Sequence, residues 1–324
     1  MSYLPSDTTA LTLPAHGTLP PTAHVFDDRS IEAINAALAA DRPLLVRGEP
    51  GTGKSQLARA AASALGRAFL PFTVDARTEA RDLLYTVDTV ARLAEAQIVG
   101  HLGGDPGFDV RAQLAERRFT TPGPIWWVFD WASALRQASF STSTAVPPWT
   151  PAGWSDKKGA VLLVDEIDKA DPAVPNGLLE ALGQGEFRAP WGESVASPKD
   201  AMGSLVVITT NEERALPDAF VRRCLVLQLG WPQERGALIA ALVKRGRAHF
   251  AKAQSDLLEA AAVMVAADRE VVAARGICPP GGAEYLDLLR AVLRQWPDAP
   301  SRQIAALERI REFALRKHPE EPGG

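Results

Sequence analysis

The chain has 324 residues, 46% of them hydrophobic and 23% charged, with a formal net charge of −4, a composition typical of a globular protein with a sizeable core. This charge disfavours non-specific binding of nucleic acid, and two cysteines and five scattered histidines disfavour a disulfide or structural metal framework. No apolar run approaches the roughly 18 residues of a membrane span, and Met1 to Pro21 lack a signal pattern, so we predict a cytoplasmic protein with no membrane span.

The first predicted elements lead to a glycine-rich turn. Residues 1–21 are rich in Pro and Thr and are expected to form a flexible arm. Asp27, Asp28 and Ser30 favour the start of a helix that continues from Ile31 to Ala40. The apolar run from Leu44 to Arg47 predicts a strand that runs directly into the turn.

The turn, Gly48-Glu49-Pro50-Gly51-Thr52-Gly53-Lys54-Ser55, reads G-x-x-x-x-G-K-S, the phosphate-binding P-loop. It lies between a predicted strand and a helix that runs to about Leu65, which is the context the motif requires. Glycines let the backbone approach a phosphate closely, and the helix N-terminus contributes partial positive charge. We expect Lys54 to reach the β- and γ-phosphates and Ser55 to bind Mg²⁺.

A long insertion follows the second predicted strand, Ala68 to Val74. About eighty residues separate it from the next strong strand, and helical pieces are predicted at Glu79 to Gln97 and Val110 to Arg117. Five of the eight tryptophans lie between positions 126 and 154. The insertion, at about 77–158, either buries a small core of its own or contacts a substrate or partner.

The remaining strands and helices predict an α/β protein with a helical C-terminal region. Apolar strands at Ala160 to Val164, Leu205 to Ile208 and Cys224 to Leu229 alternate with helical segments, which indicates a parallel sheet. From Trp231 the chain is predicted to be helical. We therefore expect a nucleotide-binding core at 22–230, a helical lid at 231–318 and a polar tail at 319–324. The lid helices are predicted in four ranges: Gln233 to Phe250, Ser255 to Arg275, Gly282 to Gln295 and Ser301 to Lys317.

Polar side chains at the strand ends supply candidate chemistry. Asp165 and Glu166 follow a buried strand, where an acidic residue can hold Mg²⁺ and a second can polarise the attacking water. Asn211 ends the next apolar strand and is a candidate for orienting that water. Arg222 and Arg223 precede the fifth strand and are candidates for neutralising phosphate charge in a neighbouring subunit's site.

These segments resemble motifs of AAA+ ATPases over roughly residues 25–295. Gly48–Ser55, Val161–Glu166 and Val206–Asn211 are similar to Walker A, Walker B and sensor 1 of that family, and Leu216–Cys224 to its arginine-finger segment. Three further segments resemble the MoxR-like branch: Gly123-Pro124-Ile125, the helix at Gly177–Gly185, and a hairpin at Glu186 to Gly203 with a turn at Trp191-Gly192. No arginine stands at the position expected for sensor 2, near Pro279 to Tyr285.

The resemblance implies an αβα sandwich with a parallel five-stranded sheet in the order 5-1-4-3-2, followed by a helical lid. It implies a homo-hexameric ATPase with ATP and Mg²⁺ between subunits, acting as a chaperone on a protein partner, typically one with a von Willebrand factor A domain. In the implied site Glu166 is the catalytic glutamate, Asn211 is sensor 1, and Arg222 or Arg223, with Arg223 favoured, is the finger. Mg²⁺ is held by Ser55 and Asp165. The nucleotide contacts are Val25 and Phe26 near the adenine, and Glu49, Pro50, Gly51, Thr52, Gly53, Lys54, Ser55 and Gln56.

Two other functions stay open on the sequence. One is a nucleic-acid-stimulated motor, which the acidic balance disfavours but for which the Arg111–Arg118 segment and the hairpin are candidate pore-lining elements; salt-sensitive stimulation by DNA would identify it. The other is a nucleotide-gated scaffold with little turnover, against which the intact Asp165, Glu166 and Asn211 argue.

Overall fold

The computed structural model describes residues 3–5, 8, 10–15, 17, 19–102, 109–143, 146–197, 203–273, 275 and 278–315. The strands are β1 (Ala10–Leu13), β2 (Thr22–Val25), β3 (Leu44–Arg47), β4 (Ala68–Thr73), β5 (Tyr85–Val87), β6 (Thr120–Pro122), β7 (Ala160–Asp165), β8 (Glu186–Arg188), β9 (Ser194–Ala196), β10 (Leu205–Thr210) and β11 (Leu225–Gln228). The α-helices are α1 (Asp28–Ala40), α2 (Lys54–Leu65), α3 (Thr89–Leu102), α4 (Val110–Gln113), α5 (Pro124–Phe129), α6 (Trp131–Phe140), α7 (Ala173–Gln184), α8 (Asp218–Arg223), α9 (Arg235–His249), α10 (Ser255–Ala273), α11 (Gly282–Gln295) and α12 (Pro300–Ala314). Single 3₁₀ turns lie at Ala80–Leu83, Glu116–Phe119, Asp156–Lys158 and Ile167–Lys169. The tail predicted at 319–324 lies outside the described residues.

A parallel sheet organises the nucleotide-binding core. Across the described residues its five strands lie in the order β11-β3-β10-β7-β4, which confirms the predicted order 5-1-4-3-2. β7 pairs in parallel with β10 on one side and β4 on the other, with Leu162 opposite Val206 and Leu70. Every residue of β10 is buried, as expected for a strand covered on both faces. The α/β fold class predicted from the sequence is confirmed.

The described residues divide into two compact units. The first is drawn from Met1–Leu4, Glu32–Leu45 and Ala61–Val226, and the second from Pro5–Ile31, Val46–Ala60 and Leu227–Gly324. The first unit therefore contains β7 and β10 with their flanking helices, and the second contains the P-loop and the C-terminal helices.

The tryptophans of the insertion join the core of the first unit. Trp126 and Trp127 are buried in the same apolar cluster as Leu162 and Val164 of β7. Trp126 lies edge-on to Phe187 of the β8–β9 hairpin, with ring centroids 5.6 Å apart. The buried aromatic residues of the insertion that the structure describes therefore cover the central sheet and belong to its core. Trp149, in contrast, is 48% exposed.

Two predicted helices of the insertion differ from the structure. The segment predicted as one helix from Glu79 contains a 3₁₀ turn and then β5, which pairs antiparallel with β6, before α3 begins at Thr89. The Tyr-Thr-Val sequence of β5 consists of residues that pack well in strands, and pairing with β6 satisfies its backbone groups. The helix predicted at Val110 to Arg117 is likewise a short α4 followed by a 3₁₀ turn.

The second unit joins a short hairpin, the P-loop segment and four helices. β1 lies within residues 1–21, the stretch expected to form a flexible arm, and pairs antiparallel with β2, which follows that stretch. α9 to α12 bury a cluster that includes Leu242, Leu258 and Leu289. Tyr285 of α11 is fully buried and its hydroxyl donates to the carbonyl of Leu258 at 3.1 Å. A Cβ at Gly246 would lie 2.4 Å from that hydroxyl, so the glycine permits the close approach of α9 to α11.

Candidate functional site

The P-loop of the second unit has the backbone that its glycines predict. Gly48, Gly51 and Gly53 all have positive φ angles, of 143°, 76° and 98°. A Cβ at Gly48 would lie 2.0 Å from the carbonyl oxygen of Leu229, so no other residue fits there. α2 begins at Lys54, directly after the last of these glycines. The loop therefore ends at a helix N-terminus, where backbone N–H groups favour an anion.

Lys54 is buried within the turn of this loop. Its side chain is 7% exposed, and its ammonium donates to the carbonyls of Gly48 at 2.7 Å and Glu49 at 3.0 Å. The Thr52 hydroxyl also donates to the Glu49 carbonyl, at 2.8 Å, and closes the turn. A loop that combines a buried ammonium with a helix N-terminus fits a phosphate group and no cationic ligand.

The other predicted nucleotide contacts lie in the same unit. Ser55 and Gln56 are half-buried in the first turn of α2, Pro50 is exposed, and the Glu49 carboxylate pairs with Arg269 at 2.5 Å. Val25 ends β2 and is half-buried, whereas Phe26 is buried and lies edge-on to His24 with ring centroids 4.7 Å apart. Burial and the neighbouring Arg245 cation lower the pKa of His24 to about 3, so this imidazole is neutral at pH 7.

Asp165 and Glu166, the acidic pair of the first unit, are both hydrogen-bonded to one residue of the neighbouring strand. Asp165 ends β7 and accepts a hydrogen bond from the hydroxyl of Thr209 on β10. The Thr209 hydroxyl also accepts from the backbone N–H of Glu166 at 3.0 Å. Glu166 adopts a left-handed backbone conformation, with φ 61° and ψ 47°, which is uncommon for a residue other than glycine. Thr209 therefore fixes the turn that separates the two carboxylates.

The Glu166 side chain has two further partners. One carboxylate oxygen accepts from the Lys169 ammonium at 2.6 Å, and the other from the Asn211 amide at 3.4 Å. The hydrogen bond to Glu166 raises the pKa of Lys169. The structure thus brings Asp165, Glu166 and Asn211 together. Thr209 and Lys169 also belong to this cluster, although neither was among the predicted site residues.

The two candidate finger arginines lie in the last turn of α8. Both side chains are exposed. Their main-chain carbonyls are held by Arg42, whose guanidinium donates to Arg222, to Arg223 at 3.1 Å and to Cys224 at 3.4 Å. Arg223 comes shortly before β11, at the start of a strand, whereas Asp165 ends β7. In a parallel sheet the start and the end of strands lie at opposite edges, so these arginines and Asp165 do not lie at the same edge.

No described helix combines the length and the apolar character that crossing a bilayer demands.

Comparison with known proteins identifies the family. A search of curated protein sequences finds no match to this chain. Residues 43–224, more than half of the chain, match the family model of an AAA domain of the dynein-related subfamily. The matched region begins just before β3 and the P-loop and ends at Cys224, after α8, so it includes the acidic pair and Asn211. The chain therefore belongs to the AAA family of P-loop NTPases.

Proposed function

We propose that this protein is a ring-forming ATPase that uses the hydrolysis of Mg-ATP to remodel or assemble a protein partner. The observation that carries the proposal is the hydrogen-bonded cluster of Asp165, Thr209, Glu166 and Asn211 in a chain that also has a complete P-loop. Such a cluster offers one carboxylate for a metal ion and a second for a water molecule, the two groups that phosphoryl transfer to water requires.

Each predicted residue has a role in this proposal. The P-loop residues from Glu49 to Gln56 bind the phosphates, with Val25 and Phe26 near the base. Ser55 and Asp165 hold Mg²⁺, which stabilises negative charge on the phosphates when it is bound. Glu166 accepts a proton from the attacking water, and Asn211 orients that water.

The arginines of α8 support action between subunits. Arg222 and Arg223 are exposed, and they precede a strand whereas the acidic pair follows one. An arginine at this position suits the site of a neighbouring copy better than its own, and a cation supplied to the transferred phosphoryl group accelerates transfer strongly. Members of the family are typically oligomeric, and we propose a homo-hexamer with Arg223 as the finger.

The partner is the most specific part of the proposal. The β8–β9 hairpin and the turn at Trp191-Gly192 agree with the segments that resemble the MoxR-like branch. On that resemblance we propose a chaperone role toward a partner with a von Willebrand factor A domain. The exposed Trp149 in the insertion is a candidate contact.

The test is the ATP hydrolysis rate per subunit as a function of protein concentration. A rate that rises steeply with concentration supports a site completed between subunits. Lys54→Ala should abolish nucleotide binding, and Arg223→Ala should abolish the concentration-dependent rise while it leaves binding intact. A flat, near-zero rate in the presence of ATP and Mg²⁺ would instead favour a nucleotide-gated scaffold, and salt-sensitive stimulation by DNA would favour a nucleic-acid motor.

A further inference from the structure

Arg245 of α9 contacts the main chain of the P-loop. Its guanidinium donates to the carbonyl of Thr52 at 2.8 Å and to the carbonyl of Gly51 at 3.3 Å. The two acceptors belong to the consecutive peptide groups Gly51–Thr52 and Thr52–Gly53, which precede the last P-loop peptide before Lys54. A side chain from the C-terminal helices therefore binds the segment of the loop on which phosphate recognition depends.

These two hydrogen bonds determine the direction of two N–H groups. In a trans peptide the C=O and the N–H point in opposite directions. Because the Gly51 carbonyl points toward Arg245, the N–H of Thr52 points away from it. The same holds for the Thr52 carbonyl and the N–H of Gly53. The guanidinium thus turns both N–H groups to the opposite side of the loop.

The surroundings of Arg245 leave room for this arrangement. The guanidinium lies over the ring of Trp231, 4.7 Å from its centroid, and Trp231 is buried. A Cβ at Gly282 would lie 2.4 Å from one guanidinium nitrogen and 2.6 Å from the Trp231 ring. At Gly53 a Cβ would lie 3.2 Å from the other guanidinium nitrogen. Two glycines therefore flank the guanidinium where larger residues would displace it.

The charge of Arg245 is not matched by a carboxylate. In the part of the chain that the structure describes, its hydrogen bonds go to the two carbonyls, its guanidinium lies over the Trp231 ring, and it forms no ion pair with a carboxylate. Burial lowers the pKa of Arg245 to about 10, so the guanidinium is charged at pH 7. A cation without a carboxylate partner favours the binding of an anion nearby.

We infer that Arg245 is a positioning residue for phosphate binding, which holds the peptides between Gly51 and Gly53 so that their N–H groups face the nucleotide phosphates. This inference rests on the proposed function. Through its two hydrogen bonds to the loop, Arg245 of α9 would influence phosphate affinity although it does not contact the nucleotide itself.

The test compares ADP with adenosine, since only ADP places phosphates in the loop. Dissociation constants are measured by competition with a fluorescent nucleotide for the wild type, Arg245→Lys, Arg245→Met and Gly282→Ala. The matched control is Arg247→Ala, an exposed arginine of the same helix that donates to Ser255. Lys keeps the charge but cannot donate to both carbonyls in the planar geometry of a guanidinium. We expect ADP affinity to fall about tenfold in the Met variant and about threefold in the Lys variant, as for one or two lost hydrogen bonds, with adenosine affinity unchanged.

Each outcome distinguishes the inference from the proposed function. Unchanged ADP affinity in the Lys and Met variants would overturn the inference alone. Equal losses for ADP and adenosine would show a structural role and would also overturn it. A wild-type protein that binds no nucleotide would overturn the proposed function instead. If the Met variant does not fold, the Lys and Gly282→Ala variants test the inference. The methyl group added in Gly282→Ala should displace the guanidinium of Arg245 and reproduce the selective loss of ADP affinity.

Discussion

The ammonium of Lys169 and the carboxylate of Glu166 form an ion pair at 2.6 Å, three residues apart in the chain. The pair is half-exposed, with 42% of the Lys169 side chain and 30% of the Glu166 side chain accessible to solvent. Ion pairs of this exposure contribute little to stability, because water competes for both partners. The glutamate is therefore held in place weakly enough to be released.

Substitutions at these two positions should have very different effects on hydrolysis. Glu166→Gln retains the shape of the side chain but removes the proton acceptor, so we expect the ATP hydrolysis rate to fall at least about 100-fold while ATP binding persists. Lys169→Met removes only a half-exposed partner, so the rate should change less than about fivefold. Steady-state hydrolysis and nucleotide titration measure both. A Gln variant with wild-type turnover would show that Glu166 is not the base.

Arg42 should act on the finger arginines through their backbone. Its guanidinium caps the last carbonyls of α8, so Arg42→Ala leaves the segment that carries Arg223 less well ordered. We expect the hydrolysis rate to fall about tenfold at saturating protein concentration, with ATP affinity unchanged. Arg136→Ala, an exposed arginine of α6, is the control. If Arg42→Ala weakens ATP binding as much as hydrolysis, the positioning role is wrong.

The buried His24 should make the protein sensitive to acid. Its pKa is about 3 in the folded protein and near the ordinary value of 6.5 in the unfolded chain, so the unfolded chain binds the proton more readily. The stability associated with neutral His24 is complete above pH 6.5 and is lost as the pH falls from 6.5 toward 3, by up to about 1.4 kcal/mol per pH unit. The free energy of unfolding is measured by urea titration at pH 7.5, 6.5 and 5.5. As the pH decreases, it should fall less steeply in His24→Gln than in the wild type. His249, whose pKa is lowered to about 4 by burial and by the Arg245 cation, contributes to the slope that remains. Parallel slopes for variant and wild type would contradict the assignment.

Two glycines of the first unit should respond oppositely to alanine. A Cβ at Gly123 would lie within 2.7 Å of backbone atoms of Asp82 and Leu83, which cannot move as a flexible side chain does. Gly123→Ala should therefore destabilise the protein by about 1–3 kcal/mol. Gly183 lies within α7 and has nothing within 4 Å of its Cβ position, so Gly183→Ala should stabilise the protein by up to about 1 kcal/mol. Thermal melting of the two variants provides the comparison, and a shift in the same direction for both would refute this account of the packing.

Much of the fold was predictable because its signals are local. The apolar runs of β7 and β10 and the glycine pattern before α2 are each readable within ten residues. The order of the strands came from the resemblance to AAA+ ATPases, since no local signal specifies which strands become neighbours.

The residues that were missed act over long sequence separations. Arg245 is 193 residues from Thr52, and Arg42 is 180 residues from Arg222, so neither pairing leaves a pattern in the sequence. Thr209 is recognisable only once β10 is known to lie beside β7. The tryptophans presented a different difficulty, because a cluster of aromatic residues is equally compatible with a core and with a binding surface.

The contacts of Arg59 extend the influence of the N-terminal segment to the helix that follows the P-loop. This buried arginine of α2 donates to the carbonyl of Pro20 at 3.0 Å and to that of Pro14, on either side of the turn between β1 and β2. A shortened chain that began at β2 would leave a buried guanidinium without these two acceptors, at a cost of about 1–3 kcal/mol. Trimming the N-terminus to improve expression or crystal growth would thus remove two acceptors that hold the helix next to the P-loop.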